Sequence, residues 1–226
     1  MSKILAIDSS SVSCSAAVMV DDKITASQFI NNGLTHSQTL LCAVENVMKL
    51  SGLEIKELDK IALTVGPGSF TGIKIGVATA KGLAFANNIE CVAVSTLAAA
   101  AYNGIYHTDK ICAVMDARRN QFYNALFTVE DGQLVRLCPD RRIEKNELLN
   151  ELDNKTLIVG DGTNLLYDCN FIFSPPSQRY ITAENILSLV NSGGGVSVNH
   201  EALSPVYLRA PQAERERLEN LKEKTK

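Results

Sequence analysis

Two turns in this sequence carry the residue types that hold an anion. The first is Gly66-Pro67-Gly68-Ser69-Phe70-Thr71, set between an apolar run, Lys60 to Val65, and a helical segment from about Thr71 to Ala86. Glycine accepts backbone angles that a side chain forbids, and proline stiffens the turn between the two glycines. Ser69 and Thr71 can cap the first free N–H groups of the helix. Strand, glycine turn and helix N-terminus together aim N–H donors at one point, as an anion site requires. The same residues also serve a tight strand-to-helix turn that binds nothing. The second turn, Ser9-Ser10-Ser11-Val12-Ser13, follows an apolar strand that ends at Asp8, so a carboxylate and a row of hydroxyls meet at one strand end. They either face a ligand or cap their own turn.

Other chemistry is thinly represented. His36, His107 and His200 are far apart, and no local pair has metal-ligand spacing. The six cysteines, Cys14, Cys42, Cys91, Cys112, Cys138 and Cys169, are scattered, several of them in apolar segments, as expected for reduced thiols. The net charge of −3 gives no overall attraction to nucleic acid or to an anionic membrane. Hydrophobic content of 46% and charged content of 21% suit a globular protein. No run approaches the ~18 apolar residues that would span a bilayer. The opening MSKILAIDSSS, broken by Asp8, is expected to be a first strand and not a signal peptide, with a cytoplasmic location.

The elements that position these turns follow from periodicity. Lys3 to Ile7, Cys14 to Val20 and Lys23 to Ile30 read as strands, the last two joined by Asp21-Asp22. Thr35 to Leu50 reads as a helix with Thr35 and Gln38 in a capping box, an apolar face of Leu40, Leu41, Val44, Val47 and Met48, and His36 in its first turn. In the helix after the glycine turn, Gly72, Gly76 and Ala80 recur every four residues and line one face. Ile73, Val77 and Ala84 line the opposite face, and only Lys74 and Lys81 are charged. A helix apolar on nearly every side is covered on nearly every side, by the core or by another protein. The two helices are expected to pack together and share an outer face. His36, Leu40, Val44, Gly72, Lys74, Gly76 and Ala80 are the candidate partner or dimer contacts, the small-residue stripe admitting a close helix.

Glu90 to Val94 adds a strand and Ser95-Thr96-Leu97 opens an alanine-rich helix, giving β-β-β-α-β-α-β-α up to about Gly104. Ile111 to Met115 then ends in Asp116 as the first strand ends in Asp8, and strands follow around Asp131-Gly132. This is a degenerate repeat of the first unit. The domains are placed at residues 1–106 and 107–226, the second including a charged tail, Gln212 to Lys226. Arg118 and Arg119 either meet an acidic partner, a phosphate or RNA, or form a solvated pair in a turn. Gly160-Asp161-Gly162-Thr163 is a further strand-to-helix turn.

GPGSFTGIKIG followed by AKGLA, within residues 64–86, resembles the signature of the TsaB (YeaZ) family. Asp116 to Tyr123 and Pro205 to Arg209 resemble further motifs of that family, and the likeness fades only between residues 140 and 200. It implies an α/β fold of two tandem ribonuclease-H-like units of the actin-like ATPase (ASKHA) superfamily, the second shortened. In active members of that superfamily the first acid organises metal-bound water and the first turn, usually with glycine, holds phosphate. Here serines stand in that turn, leaving Asp8, Ser9, Ser10, Gly66, Gly68 and Ser69 as candidates for residual nucleotide contact and no catalytic residue. The related TsaD family carries two metal-binding histidines where this chain has Thr96 and Ala100, and neither replaces an imidazole. No metal site is therefore expected, and a peptidase is disfavoured.

The implied function is a non-catalytic partner subunit of a TsaD-type enzyme. That enzyme transfers a threonylcarbamoyl group to the adenosine beside the anticodon in tRNAs that read codons starting with A (t6A modification). The implied partners are the TsaD-type catalytic subunit, a TsaE-type ATPase and, for the chain alone, a second copy of itself. tRNA enters only through the complex, and no membrane is involved. The chain itself requires no cofactor, while ATP or ADP and magnesium are allowed for in the complex. The alternative is a stand-alone ATP-binding phosphotransferase with Asp8 and Asp116 around magnesium.

Overall fold

The structure, a computed structural model, describes residues 2–107 and 109–209. The charged tail expected over Gln212 to Lys226 lies outside the described residues. β1 (Lys3–Asp8), β2 (Cys14–Val20) and β3 (Lys23–Ile30) form an antiparallel meander. Asp21 and Asp22 both take positive φ, 44° and 61°, the twist that a two-residue hairpin needs. α1 (His36–Ser51) carries the chain over to β4 (Lys60–Gly66), and α2 (Phe70–Phe85) carries it on to β5 (Glu90–Ser95). β4 is parallel to β1 and β5 is parallel to β4.

α3 (Thr96–Ala101) leads into the second sheet: β6 (Ile111–Asp116), β7 (Gln121–Glu130), β8 (Gln133–Arg136), β9 (Arg141–Glu144), then α4 (Lys145–Asn150), β10 (Leu157–Val159) and β11 (Ile172–Phe173). Its order β8-β7-β6-β10-β11 repeats the β3-β2-β1-β4-β5 order of the first sheet, with β9 added beside β7. The repeat expected from the two strand-end acids is therefore real, and Asp116 stands in the second unit where Asp8 stands in the first.

The domain division needs one correction. α5 (Ala183–Asn191) packs against β1, β2 and β4, and β12 (Val196–Val198) pairs antiparallel with β5 at the edge of the first sheet. Residues 183–198 thus return to the first unit, where the sequence reading places all of residues 107–226 in the second. Short strands and one amphipathic helix carry no mark of which sheet they join.

Strand alternation sorts the core into layers. From β1, Leu5 and Ile7 face α1 and α2, meeting Leu40, Val44, Ile73 and Val77. Ile4 and Ala6 point the other way, toward Leu97 of α3 and Ile186 of α5. Ile111, Ala113 and Met115 of β6 reach the same cluster from the second sheet, so α3 and α5 are sandwiched between the sheets. Cys112 and Val114 face outward onto Leu148 of α4. Both polar turns sit at the carboxyl ends of β1 and β4, where this layering leaves the strand ends open.

Candidate functional site

Asp8 is fully inside the protein, and its carboxyl is raised above its ordinary value by loss of solvent. Hydrogen bonds from Ser10 and Thr64 and the nearby His36 work against that rise. Oδ1 accepts from the Ser10 hydroxyl at 2.6 Å, the Ser10 N–H at 3.2 Å and the Thr64 hydroxyl at 2.5 Å. Oδ2 is buried without a partner among the described residues. One residue on, the Ser9 hydroxyl donates to the Gly72 carbonyl at 2.9 Å. His36 Nε2 lies 2.8 Å from the Ser11 carbonyl oxygen. A carbonyl only accepts, so Nε2 carries a proton, and the buried Nδ1 has no partner among the described residues.

The glycine turn closes onto the serine turn. The Ser69 N–H donates to the Ser10 carbonyl at 2.7 Å, and the Ser69 hydroxyl accepts from the Gly72 N–H at 3.2 Å. Gly68 takes φ of 158°, and a Cβ there would stand 2.3 Å from the Ser10 oxygen. Asp8, Ser9, Ser10, Gly66, Gly68 and Ser69 do come together as the spacing suggests. However, several of their polar groups are already taken inside the turn: the N–H of Ser69 has its acceptor in Ser10, and the Ser9 hydroxyl has its own in Gly72.

The docking stripe also faces inward. A Cβ on Gly72 would stand 2.0 Å from the Ser9 carbonyl oxygen and 3.0 Å from the His36 ring, and one on Gly76 2.6 Å from the Ser9 hydroxyl. Ala80, Leu40 and Val44 are buried in the chain's own core. The close approach that small residues permit is real, but its occupant is the β1 end of the same molecule. Of the seven residues named for docking, Lys74 is exposed and His36 half-buried. The outward face of α2 is Lys74, Ala78, Gly82 and Phe85, with Phe85 74% exposed; on α1, which packs against α2, Leu41 is 50% exposed. An all-apolar helix does not show by periodicity which stripe is outermost, so that face was not legible.

Between the units, Asp161 stands in the turn after β10. Its carboxyl is raised from 3.8 to about 6, first by burial and then by the charges of Asp116 and Asp8. Its Oδ1 is buried without a partner among the described residues. The segment 205–209 spans this rim. The Val206 N–H donates to the Val65 carbonyl at 2.7 Å, and Arg209 Nη1 donates to the Ala117 carbonyl at 2.6 Å. A Cβ on Gly66 would stand 2.2 Å from the Val206 oxygen. Arg118, Arg119 and Asn120 form the β6–β7 hairpin with φ of 62°, 57° and 59°.

Thr96 and Ala100 are fully buried. Among the described residues no group of three His, Cys, Asp or Glu side chains is arranged to hold a metal ion. No helix among them is long and apolar enough to cross a membrane.

A family model described as "TsaD: tRNA N6-adenosine threonylcarbamoyltransferase" matches residues 31–202. The Bacillus subtilis (strain 168) protein named tRNA threonylcarbamoyladenosine biosynthesis protein TsaB is 34% identical over 165 residues, 72% of this chain and 72% of that protein. Its Escherichia coli (strain K12) namesake is 28% identical over 222 residues, 92% of this chain and 94% of that one. The solved structure of YeaZ from Pseudomonas aeruginosa superposes with a TM-score of 0.78 at 27% identity, covering 92% of this chain and all of that one.

Proposed function

This chain belongs to the TsaB family of tRNA threonylcarbamoyladenosine biosynthesis proteins, within the actin-like superfamily, and from that premise we propose that it is the non-catalytic partner subunit of a TsaD-type enzyme. The observation that carries this reading is the filled turn. Where an active relative would hold phosphate, the Ser69 N–H is taken by Ser10 and the Oδ1 atom of Asp8 by Ser10 and Thr64. Thr96 and Ala100, which the resemblance to the TsaD family aligns with its metal-binding histidines, offer no imidazole and are fully buried.

The subunit's contribution is to hold the TsaD-type enzyme in a competent shape while the enzyme performs threonylcarbamoyl transfer. Docking uses the outward stripe of α2, Ala78, Gly82 and Phe85, with Leu41 of α1. An exposed apolar surface on two adjacent helices suits a helical partner. The same surface joins two copies when the chain is alone. A TsaE-type ATPase completes the cytoplasmic assembly, and ATP or ADP with magnesium belongs to the other subunits.

Light scattering on a sizing column tests the reading, first with this chain alone and then mixed with a TsaD-type protein. A mixed complex that replaces a homodimer is expected. Absence of a complex, together with ATP turnover by the isolated chain, would instead make it a nucleotide-using enzyme.

A further inference from the structure

The β6–β7 hairpin closes through a turn that needs positive φ, the Gln121 N–H reaching back to the Arg118 carbonyl at 3.3 Å, yet the sequence places two arginines there. Residues 118–120 all lie in the left-handed region, where glycine or asparagine is at ease and arginine is not. Only Asn120 fits on backbone grounds. Both guanidinium groups are exposed, and neither makes an ion pair or side-chain hydrogen bond among the described residues. The neighbouring Asp116 carboxylate is turned into the hairpin, its Oδ1 accepting from the Arg118 N–H at 2.6 Å. Strain kept for the sake of two unpartnered cations points to something they meet.

A second feature lies on the same rim. Tyr207 packs on Phe70 with ring centroids 4.7 Å apart, and Lys74 Nζ sits 3.9 Å from the Phe70 centroid. Tyr207 remains 39% exposed. Two residues further along, Arg209 holds the Ala117 carbonyl, which fixes this aromatic pair beside the arginine hairpin.

We propose that Arg118 and Arg119, with the Phe70–Tyr207 pair and Lys74, form one contact surface for the tRNA substrate. The cations meet backbone phosphates, and the Tyr207 ring stacks on a base. Arginine forks match phosphate oxygens, and an aromatic face takes any unstacked base. An acidic protein surface would use the arginines but leave the aromatic platform without a purpose. The proposal rests on the reading of this chain as a subunit of the tRNA-modifying complex.

The test uses the full-length chain assembled with a TsaD-type partner and an unmodified tRNA transcript, titrated at several salt concentrations. Glycine keeps positive φ without steric cost, so Arg118→Gly with Arg119→Gly removes the charges and preserves the turn. That double variant is expected to bind tRNA roughly tenfold more weakly, with the salt slope reduced by about two. Arg118→Lys with Arg119→Lys restores most of the slope, and Tyr207→Ala weakens binding without changing it. Light scattering on the same samples reports assembly. Unchanged tRNA affinity and slope in a formed assembly overturn the proposal. So does a glycine pair that blocks assembly yet leaves tRNA binding by the assembled fraction intact, which would make the hairpin a protein contact. A wild-type chain that fails to assemble overturns the partner-subunit reading and this proposal with it.

Discussion

The N–H of Ser69 points at the carbonyl oxygen of Ser10, 2.7 Å away. That bond joins the two turns named as candidates for nucleotide contact. A phosphate would have to displace it, expel Ser9 from Gly72 and compete with a fully buried Asp8 carboxylate. Millimolar ATP with magnesium is therefore expected to raise the melting temperature of the isolated chain by less than about 1.5 °C, the effect of a ligand present at no more than its dissociation constant. A rise of several degrees in a thermal shift assay would show that the turns open.

The glycines of α2 divide into two kinds, and mutation separates them. Gly72→Ala places a methyl against the Ser9 backbone, where no rotamer change gives relief. It is expected to cost more than about 2 kcal/mol. Gly82 has nothing within 4 Å of a built Cβ. Gly82→Ala is expected to stabilise by about 0.5–1 kcal/mol through helix propensity alone. Urea unfolding of the two variants checks both signs.

The sequence was legible where its chemistry is local. Each strand-end acid, each two-residue hairpin and the capping pair of Thr35 and Gln38 can be read from neighbours a few residues apart; in the structure the Thr35 N–H reaches Gln38 Oε1 at 3.3 Å. What could not be read depends on distant partners. Gly72 and Gly76 announce a close approach, but only the fold reveals that Ser9 is what approaches. β12 is three residues long, and nothing in VSV tells which sheet edge it completes. Asp161 reads as an ordinary turn residue until folding brings Asp8 and Asp116 near it.

Asp161 gives the protein a pH dependence of definite sign. Its folded carboxyl titrates at about 6 against 3.8 for the free side chain, so the folded state binds the proton more tightly. Stability from this group is greatest in acid and falls as pH rises from about 4 through 6. Asp161→Asn removes the loss. It is expected to stabilise by on the order of 2 kcal/mol at pH 8, allowing for partial screening by solvent, and by little at pH 4. Denaturant melts of both proteins at the two pH values measure it; an equal shift at both would mean that the carboxyl is not perturbed.

The outward face of α2 supplies the clearest separation of folding from assembly. Ala78 and Leu41 point to solvent from adjacent helices, and neither contributes to the buried clusters on either side of the first sheet. Exposed substitutions of this kind change stability by no more than about 0.5 kcal/mol. At the centre of an apolar helix–helix contact, by contrast, an unpaired charge is desolvated without compensation. Ala78→Arg and Leu41→Glu are accordingly expected to leave the melting temperature almost unchanged and to weaken the complex with a TsaD-type protein at least tenfold, and the homodimer with it. Gly76→Leu does not make the same test. Its side chain would strike Ser9 inside the molecule, and loss of binding would only report loss of the fold. If Ala78→Arg and Leu41→Glu both assemble like the parent in light scattering, the partner docks on some other surface.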